Sequence, residues 1–285
     1  MIELLISQAV NGFDWGWILA LISIGLTLIY GQLGIINVAH GVLYTLGAVG
    51  AYYSFAWLGG WGWSLILSPI FLAFVGFILY QTTIRFALGR DPIVTVIITY
   101  GILFILEQMT FLFYGGIPRT IPNPIDYGIP FMGSTYPLYR VFCAGFSFLA
   151  IAGLMIFLKK TRFGLWIRAT KQDYETALNM GIPIRRVYLS TFCLGAAMAA
   201  LGGVLAAPIS SVNFNMGNNI IIDAFIVVIM AGFGSIPGTI VAALIIEIVI
   251  GVSASFFNPV LAKVIGLGVM LVALFFRPEG IFGED

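Results

Sequence analysis

The chain has 285 residues, of which 60% are hydrophobic and only 9% are charged, whereas soluble chains average roughly 45–50% and 25%. A soluble protein of this composition would expose apolar patches far larger than monomers tolerate. The balance of 13 Lys and Arg against 12 Asp and Glu offers no basic surface for a nucleic acid. Cys143 and Cys193 lie inside apolar runs, so we expect no disulfide, metal site or cofactor. The composition predicts a membrane protein.

Apolar segments recur along the chain, and a helix that crosses a bilayer needs about 20 such residues. Strands of an outer-membrane barrel would instead alternate in polarity over about ten residues. We therefore predict one all-α, polytopic transmembrane domain over residues 1–285, with eight or nine spans that include broken or partial helices. The full-length candidates are Ile35–Trp57, Leu65–Ile84, Ile93–Tyr114, Val141–Leu158, Val187–Ala207, Thr239–Phe257 and Val260–Phe276; Trp15–Tyr30 is shorter, and Ile220–Phe233, which carries Asp223, is a partial span.

The positive charges predict the orientation of these spans. Seven of them lie in the linker of residues 159–186, two more are Arg85 and Arg90, and Arg277 follows the last span. Two spans separate the first two loops, so both loops must lie on one side, and the positive-inside rule makes that side cytoplasmic. The loop of residues 115–139 then faces outward, and its five prolines disfavour a regular helix.

A short helix with clear end signals lies in the middle of the basic linker. Asp173 is a good N-cap, Gly181 suits the left-handed position after a helix, and Pro183 prevents continuation. The helix between them, Tyr174–Met180, is about two turns long and would need a docking partner to be stable. Tyr174, Ala177, Leu178 and Gly181 recur at helical spacing along one side of it, beside Glu175. The alternative is a solvated connector that lies on the lipid headgroups.

Small and ionisable residues mark further positions. Gly195, Ala199 and Gly203 recur every fourth residue, which is typical of close helix packing. The segment Gly232–Gly238 is either a tight turn or a broken helix whose bare backbone lines a pathway. His40, Glu107, Asp223 and Glu247 are ionisable groups in or beside apolar runs, which makes them functional hypotheses. His40 could instead be a neutral ring bonded to a backbone carbonyl.

Four motifs in the right order resemble the branched-chain amino acid permeases of ATP-binding-cassette importers. Glu175-x-Ala177-x-x-x-Gly181 resembles the loop by which such permeases dock on their ATPase, with Thr176 in place of the usual first alanine of that loop. The resemblance covers nearly the whole chain, and its motifs are Gly34–Gly41, Thr161–Met180, Gly232–Gly238, and the tail Arg277–Gly280 with Phe282–Gly283.

This resemblance implies an inner-membrane permease subunit that pairs with a second, related permease and with two ATPase subunits. A periplasmic binding protein would deliver the substrate, a branched-chain amino acid. The chain has no P-loop of its own, so we expect no enzymatic activity. Docking would involve Asp173, Tyr174, Glu175, Ala177, Leu178 and Gly181, and the pathway would pass Asn37, His40, Gly41, Gly232, Gly234, Ser235 and Gly238. A permease for urea or short amides is the nearest alternative; an ion-coupled carrier that uses Glu107 or Glu247, or a channel, is more distant.

Overall fold

A computed structural model describes residues 1–131 and 134–283. Regular structure in these residues consists of eleven helices and one β-hairpin, and the predicted all-α, polytopic class is confirmed. The helices are α1 (Ile2–Leu33), α2 (His40–Leu58), α3 (Trp61–Ala87), α4 (Pro92–Tyr114), α5 (Leu138–Lys160), α6 (Arg162–Gln172), α7 (Tyr174–Asn179), α8 (Ile184–Ala206), α9 (Gly217–Ala231), α10 (Ile236–Ser253) and α11 (Pro259–Phe276).

Seven of these helices are long and apolar enough to cross a membrane: α1, α3, α4, α5, α8, α10 and α11. Two further apolar helices are α2, which has 19 residues, and the shorter α9, which has 15. All nine apolar segments that the sequence indicates are therefore helical. The number of these helices that cross the bilayer completely, eight or nine, stays a prediction.

The hairpin lies in the proline-rich loop after α4. Its strands β1 (Gly128–Phe131) and β2 (Ser134–Pro137) pair antiparallel. A single bridge joins Arg119 of the same loop to Val212 in the connection that follows α8. No helix occurs in the described part of this loop, as its prolines predict.

The two ends of the helix bundle differ in charge. Arg185 donates to Gln81 at 3.0 Å, so the start of α8 meets the end of α3. The linker helices and the C-terminal tail lie at this same end, which we call the basic end. We call the opposite end, where the β-hairpin lies, the hairpin end. The contact between Gln81 and Arg185 confirms that the two basic loops share one side.

Helix α1 forms the centre of the bundle, in contact with α5, α8, α9 and α10. In its most apolar window 83% of residues are buried, against 22% for both α3 and α4. Protein rather than lipid therefore surrounds α1. This central helix begins at Ile2, not at Trp15 as predicted. Asp14 lies inside it, and the Asp14 carboxylate accepts a hydrogen bond from Tyr136 Oη at 2.6 Å, so this polar residue is accommodated within the helix.

The chain breaks between α1 and α2, inside the bundle. Gly34 adopts the left-handed conformation (φ 65°) and ends α1, and α2 begins only at His40 instead of Ile35. His40 lies beside Ile22 and Gly25 of α1, which are roughly 12 to 16 Å before the end of that helix. The non-helical residues 34–39 therefore return to the interior of the bundle. Thr99 of α4 fixes them, since its hydroxyl oxygen accepts from Val38 N at 3.2 Å and donates to Ile36 O at 3.0 Å.

A second break separates α8 from α9, and the two breaks meet. An added Cβ on Gly41 would lie 2.6 Å from Gly217 O, and one on Gly217 would lie 2.0 Å from Gly41 O. Gly217 N donates to Thr45 Oγ1 at 2.9 Å. The first turns of α2 and α9 therefore touch reciprocally. From this point α2 runs toward the hairpin end, where Tyr53 Oη donates to Phe113 O, and α9 runs toward the basic end.

The helices that flank these breaks are oriented in opposite directions. Helices α1 and α8 are antiparallel, with Gly25 against Gly195 and Ile22 against Gly202. Helix α3 runs from the hairpin end to the basic end, and α10 runs the other way. The order α1–α4 is thus repeated with inverted direction by α8–α11, an architecture that recurs in transporters with discontinuous helices near the midplane.

Candidate coupling, pathway and cavity sites

The predicted short helix of the linker exists, and its end signals are confirmed. Asp173 caps α7: its carboxylate accepts from Thr176 N at 3.0 Å and from Thr176 Oγ1 at 2.5 Å. These hydrogen bonds hold the pKa of Asp173 below its ordinary value. Gly181 has φ 77°, and Pro183 precedes α8. Helix α7 ends at Asn179, one residue earlier than predicted, because Gly181 N bonds back to Leu178 O.

The predicted docking residues do not all lie on one exposed face of α7. Ala177 is only 2% exposed, so it holds α7 against the rest of the chain and cannot contact a partner. Tyr174 and Leu178 are about half exposed, at 50% and 53%. Asp173, Glu175 and Gly181 are also exposed. The surface that α7 presents to solvent is therefore apolar in its middle and acidic at its N-terminal end.

Helix α6, directly before α7, is an element that sequence reasoning missed. Thr161 caps it by accepting from Gly164 N at 3.0 Å. Gly164 lies against the backbone of Leu158, where a Cβ would clash at 2.0 Å. The spacing of Phe163, Ile167 and Thr170 on one face would have indicated this helix. Helices α6 and α7 thus form the centre of the linker, with Gly164 and Ala177 buried and most of α7 exposed.

Replacing Asp173 by Ala should loosen α7 without unfolding the permease. The Thr176 amide loses its acceptor, so its hydrogen exchange should accelerate while amides in α8 keep their rate. Because the folded pKa of Asp173 is lowered, its stabilising effect is present above its ordinary pKa and is lost as pH falls through the folded value. Exchange measured by mass spectrometry over an acid series tests both effects. An unchanged Thr176 rate in the variant would contradict this role.

A cavity of about 530 Å³ opens at the basic end, between α1, α5, α6 and α10. Of the predicted pathway residues, Gly234 and Ser235 line it. Its wall also includes Gln32 of α1 and three cationic side chains: Lys159, Arg168 and Lys171. Sequence reasoning missed the contribution of α1, which comes from a distant part of the chain.

Gly232–Ser235 forms a tight turn between α9 and α10, the first of the two alternatives. Gly232 and Gly234 have φ of 89° and 84°, and Ser235 caps α10 by accepting from Gly238 N at 3.2 Å. The C-terminal tail closes the turn, since Ile281 N and Phe282 N donate to Met230 O and Ala231 O at 2.9 and 3.0 Å. Neither Gly232 nor Gly238 lines the basic-end cavity.

The predicted pathway residues near the first break are fully buried. They line neither the basic-end cavity nor a second cavity, at the hairpin end, that is described below. His40 Nε2–H donates to Ile22 O at 3.0 Å, which is the structural alternative for this ring. Asn37 is 0% exposed, and neither its Oδ1 nor its Nδ2 has a hydrogen-bond partner among the described residues. Gly41 packs on Gly217. The two cavities described therefore do not bring Asn37–His40 and Gly232–Gly238 together, and a pathway that passes both segments stays a prediction.

The small residues of α8 lie at close helix contacts within the chain. Gly195 faces α1, where an added Cβ would meet Gly25 O at 2.8 Å. Gly203 faces α2, where it would meet Tyr44 O at 2.0 Å. Ala199 is 0% exposed between them. The contacts described for these three residues therefore belong to the packing of α8 inside one subunit.

A second cavity, of about 210 Å³, lies at the hairpin end and was not predicted. Its wall comes from α1, α5, α10 and the connection after α8, and it includes the ionisable side chains of Asp14, Arg140 and Glu247. Arg140 Nη1 donates to Asn11 Oδ1 at 2.5 Å. Only Glu247 was noted from the sequence, as an isolated acid, because residues more than a hundred positions apart give no local signal.

Two other intramembrane acids are paired. Asp223 lies within α9, and its carboxylate accepts from Lys263 Nζ at 2.6 Å. Glu107 Oε1 accepts from Asn218 Nδ2 at 3.1 Å. Glu107 and Asp223 therefore each have a hydrogen-bond partner within the chain.

An all-helical bundle with inverted halves, two broken helices that meet inside it and cavities at both ends defines a multi-pass membrane transporter. Residues 8–274 match the family model described as the branched-chain amino acid transport system / permease component. The chain belongs to this permease family.

The curated relatives agree along the whole length of the chain. The high-affinity branched-chain amino acid permease BraD of Pseudomonas aeruginosa is 28% identical, with 98% of this chain and 96% of the relative covered. LivH of Escherichia coli K12 is 29% identical with the same coverage. LivM of the same organism is 26% identical over 92% of this chain and 67% of its own length.

Proposed function

We propose that this chain is the membrane-spanning permease subunit of an ATP-driven importer of branched-chain amino acids. It lies in a bacterial inner membrane with its basic end in the cytoplasm. Membership of the permease family, whose matched model covers residues 8–274, is the observation that carries this proposal. The names of BraD and LivH supply the substrate class.

The partners follow from the same comparisons and from the geometry of the linker. Both LivH and LivM are similar to this chain, which supports pairing with a second, related permease. The exposed apolar surface of α7 at the basic end supports docking of this chain on one of the two ATPase subunits. A periplasmic binding protein would deliver the substrate at the hairpin end.

Purification from native membranes tests the assembly, and uptake tests the substrate. Affinity-tagged chain should retain an ATPase and a second permease in stoichiometric amounts. Vesicles that contain the complex and its binding protein should accumulate leucine only with ATP inside. Accumulation of urea or acetamide but not leucine would identify the alternative substrate class. Uptake by the purified chain alone, driven by a proton gradient, would contradict the importer function.

A further inference from the structure

The hairpin-end cavity holds charges of both signs in a small space. We propose that this cavity binds the zwitterionic head of an α-amino acid, with Glu247 receiving the ammonium group and Arg140 the carboxylate. The proposal rests on the proposed function for the substrate class, and it assigns a binding site within this subunit.

Glu247 is the strongest evidence for a ligand. Its side chain is part of the cavity wall, the residue is only 6% exposed, and no side chain of the described residues donates to its carboxylate. Lys263, a cation that acts electrostatically on Glu247, is bonded to Asp223 at 2.6 Å. A buried carboxylate without a partner is costly, and an ammonium group in the cavity would remove that cost.

Arg140 supplies the opposite charge on the same wall. A guanidinium has five N–H donors, and one of these is used on Asn11. The others suit a carboxylate, which arginine binds in a bidentate geometry. Asp14 is already engaged by Tyr136 Oη, at 2.6 Å. Arg140 also acts electrostatically on Asp14. The wall therefore offers a free amino acid a guanidinium for its carboxylate and the acidic side chain of Glu247 for its ammonium group.

The volume and the remaining wall fit a small aliphatic side chain. A cavity of about 210 Å³ holds roughly seven waters at about 30 Å³ each, and small amino acids have a comparable number of non-hydrogen atoms. Trp15, Ile18, Ile209 and Ile250 provide apolar contacts. The cavity lies at the end where a periplasmic protein would release its cargo.

Thiol labelling at the cavity wall tests the site without the binding protein. Ala254 lines the cavity and is exposed, so A254C in the assembled permease–ATPase complex should react with a small maleimide, and leucine should slow that reaction several-fold. Leucinamide, which lacks the carboxylate, and 4-methylpentanoate, which lacks the amine, should protect at least tenfold less well. Labelling of Cys143 and Cys193 is subtracted with the parent complex.

The variant Glu247→Gln removes the proposed ammonium partner. In the A254C background it should raise the leucine concentration needed for protection roughly tenfold or more, the loss expected for one charge-assisted hydrogen bond. Glu107→Gln is the matched control, because Glu107 is also an acid in a span but is bonded to Asn218; it should leave protection unchanged.

The outcomes separate this site from the proposed function. If the complex transports leucine but leucine does not slow the labelling, or protects equally well with Glu247→Gln, the site is wrong and the function stands. If leucine protects but is not transported, the site stands and the function is wrong. Should Glu247→Gln fail to assemble, the comparison of leucine with its two analogues decides by itself.

Discussion

Leu178→Asp should abolish ATP-driven uptake while the permease stays folded in the membrane. Leu178 is 53% exposed on α7, so the substitution should cost the folded chain itself little. In a docked complex the new carboxylate would be buried against an apolar surface without a partner, which costs several kcal/mol. We expect uptake to fall on the order of a hundredfold and the ATPase to be lost on purification. Radiolabelled leucine uptake and quantification of the bound ATPase measure the two effects.

Leu165→Asp is the matched control for this prediction. Leu165 lies at the same end, on α6, and is 56% exposed, so the change in charge and hydrophobicity is identical. The control should keep most of its uptake. Normal uptake by Leu178→Asp would contradict docking through α7, and equal loss in both variants would show that α7 has no special role.

Gly217→Val should prevent stable folding. Its Cβ would lie 2.0 Å from Gly41 O and 2.7 Å from Thr45 Oγ1, so α9 must move away from α2 and its N–H loses the acceptor on Thr45. Overpacking of this kind costs on the order of 3 kcal/mol, a large part of the 5 to 15 kcal/mol that keeps a typical domain folded. We expect a large drop in the melting temperature in detergent and little protein in the membrane.

A valine at Gly145 provides the comparison. Gly145 is an exposed helical glycine of α5, and nothing lies within 4 Å of an added Cβ. Gly145→Val should therefore express and melt like the parent. A melting temperature for Gly217→Val that matches the parent would mean that the first turns of α2 and α9 do not meet as described.

The sequence allowed good prediction of features that depend on neighbouring residues. Apolar length predicted all nine apolar helices, and Asp173, Gly181 and Pro183 predicted the ends of α7, because caps act within a few residues. It failed where the outcome depends on distant residues. Trp15 was predicted as the start of the first span, although α1 continues through Asp14, which pairs with the distant Tyr136. Glu247 looked isolated although it shares a cavity wall with Asp14 and Arg140.

The candidate site shows the same division. The position of α7 was predicted, but Ala177 proved buried, because helical spacing gives the face of a short helix and not what packs on it. Gly234 and Ser235 do line a cavity, whereas Asn37 and His40 are buried elsewhere, since Gly234 contacts α1 near its end and His40 contacts α1 further inside the bundle. No local pattern could have shown that Gly41 and Gly217 touch.

The tail after α11 has a consequence for the stability of α9. Ile281 and Phe282 supply the N–H groups that satisfy Met230 and Ala231 at the end of α9, and α9 with its 15 residues is the shortest of the nine apolar helices. Since α10 and α11 lie between α9 and these partners in the sequence, α9 obtains its final hydrogen bonds only when the two later helices have brought the tail back to it. The end of α9 and the turn before α10 therefore depend on the packing of the whole second half, and disruption of α11 should expose the last carbonyl groups of α9 as well.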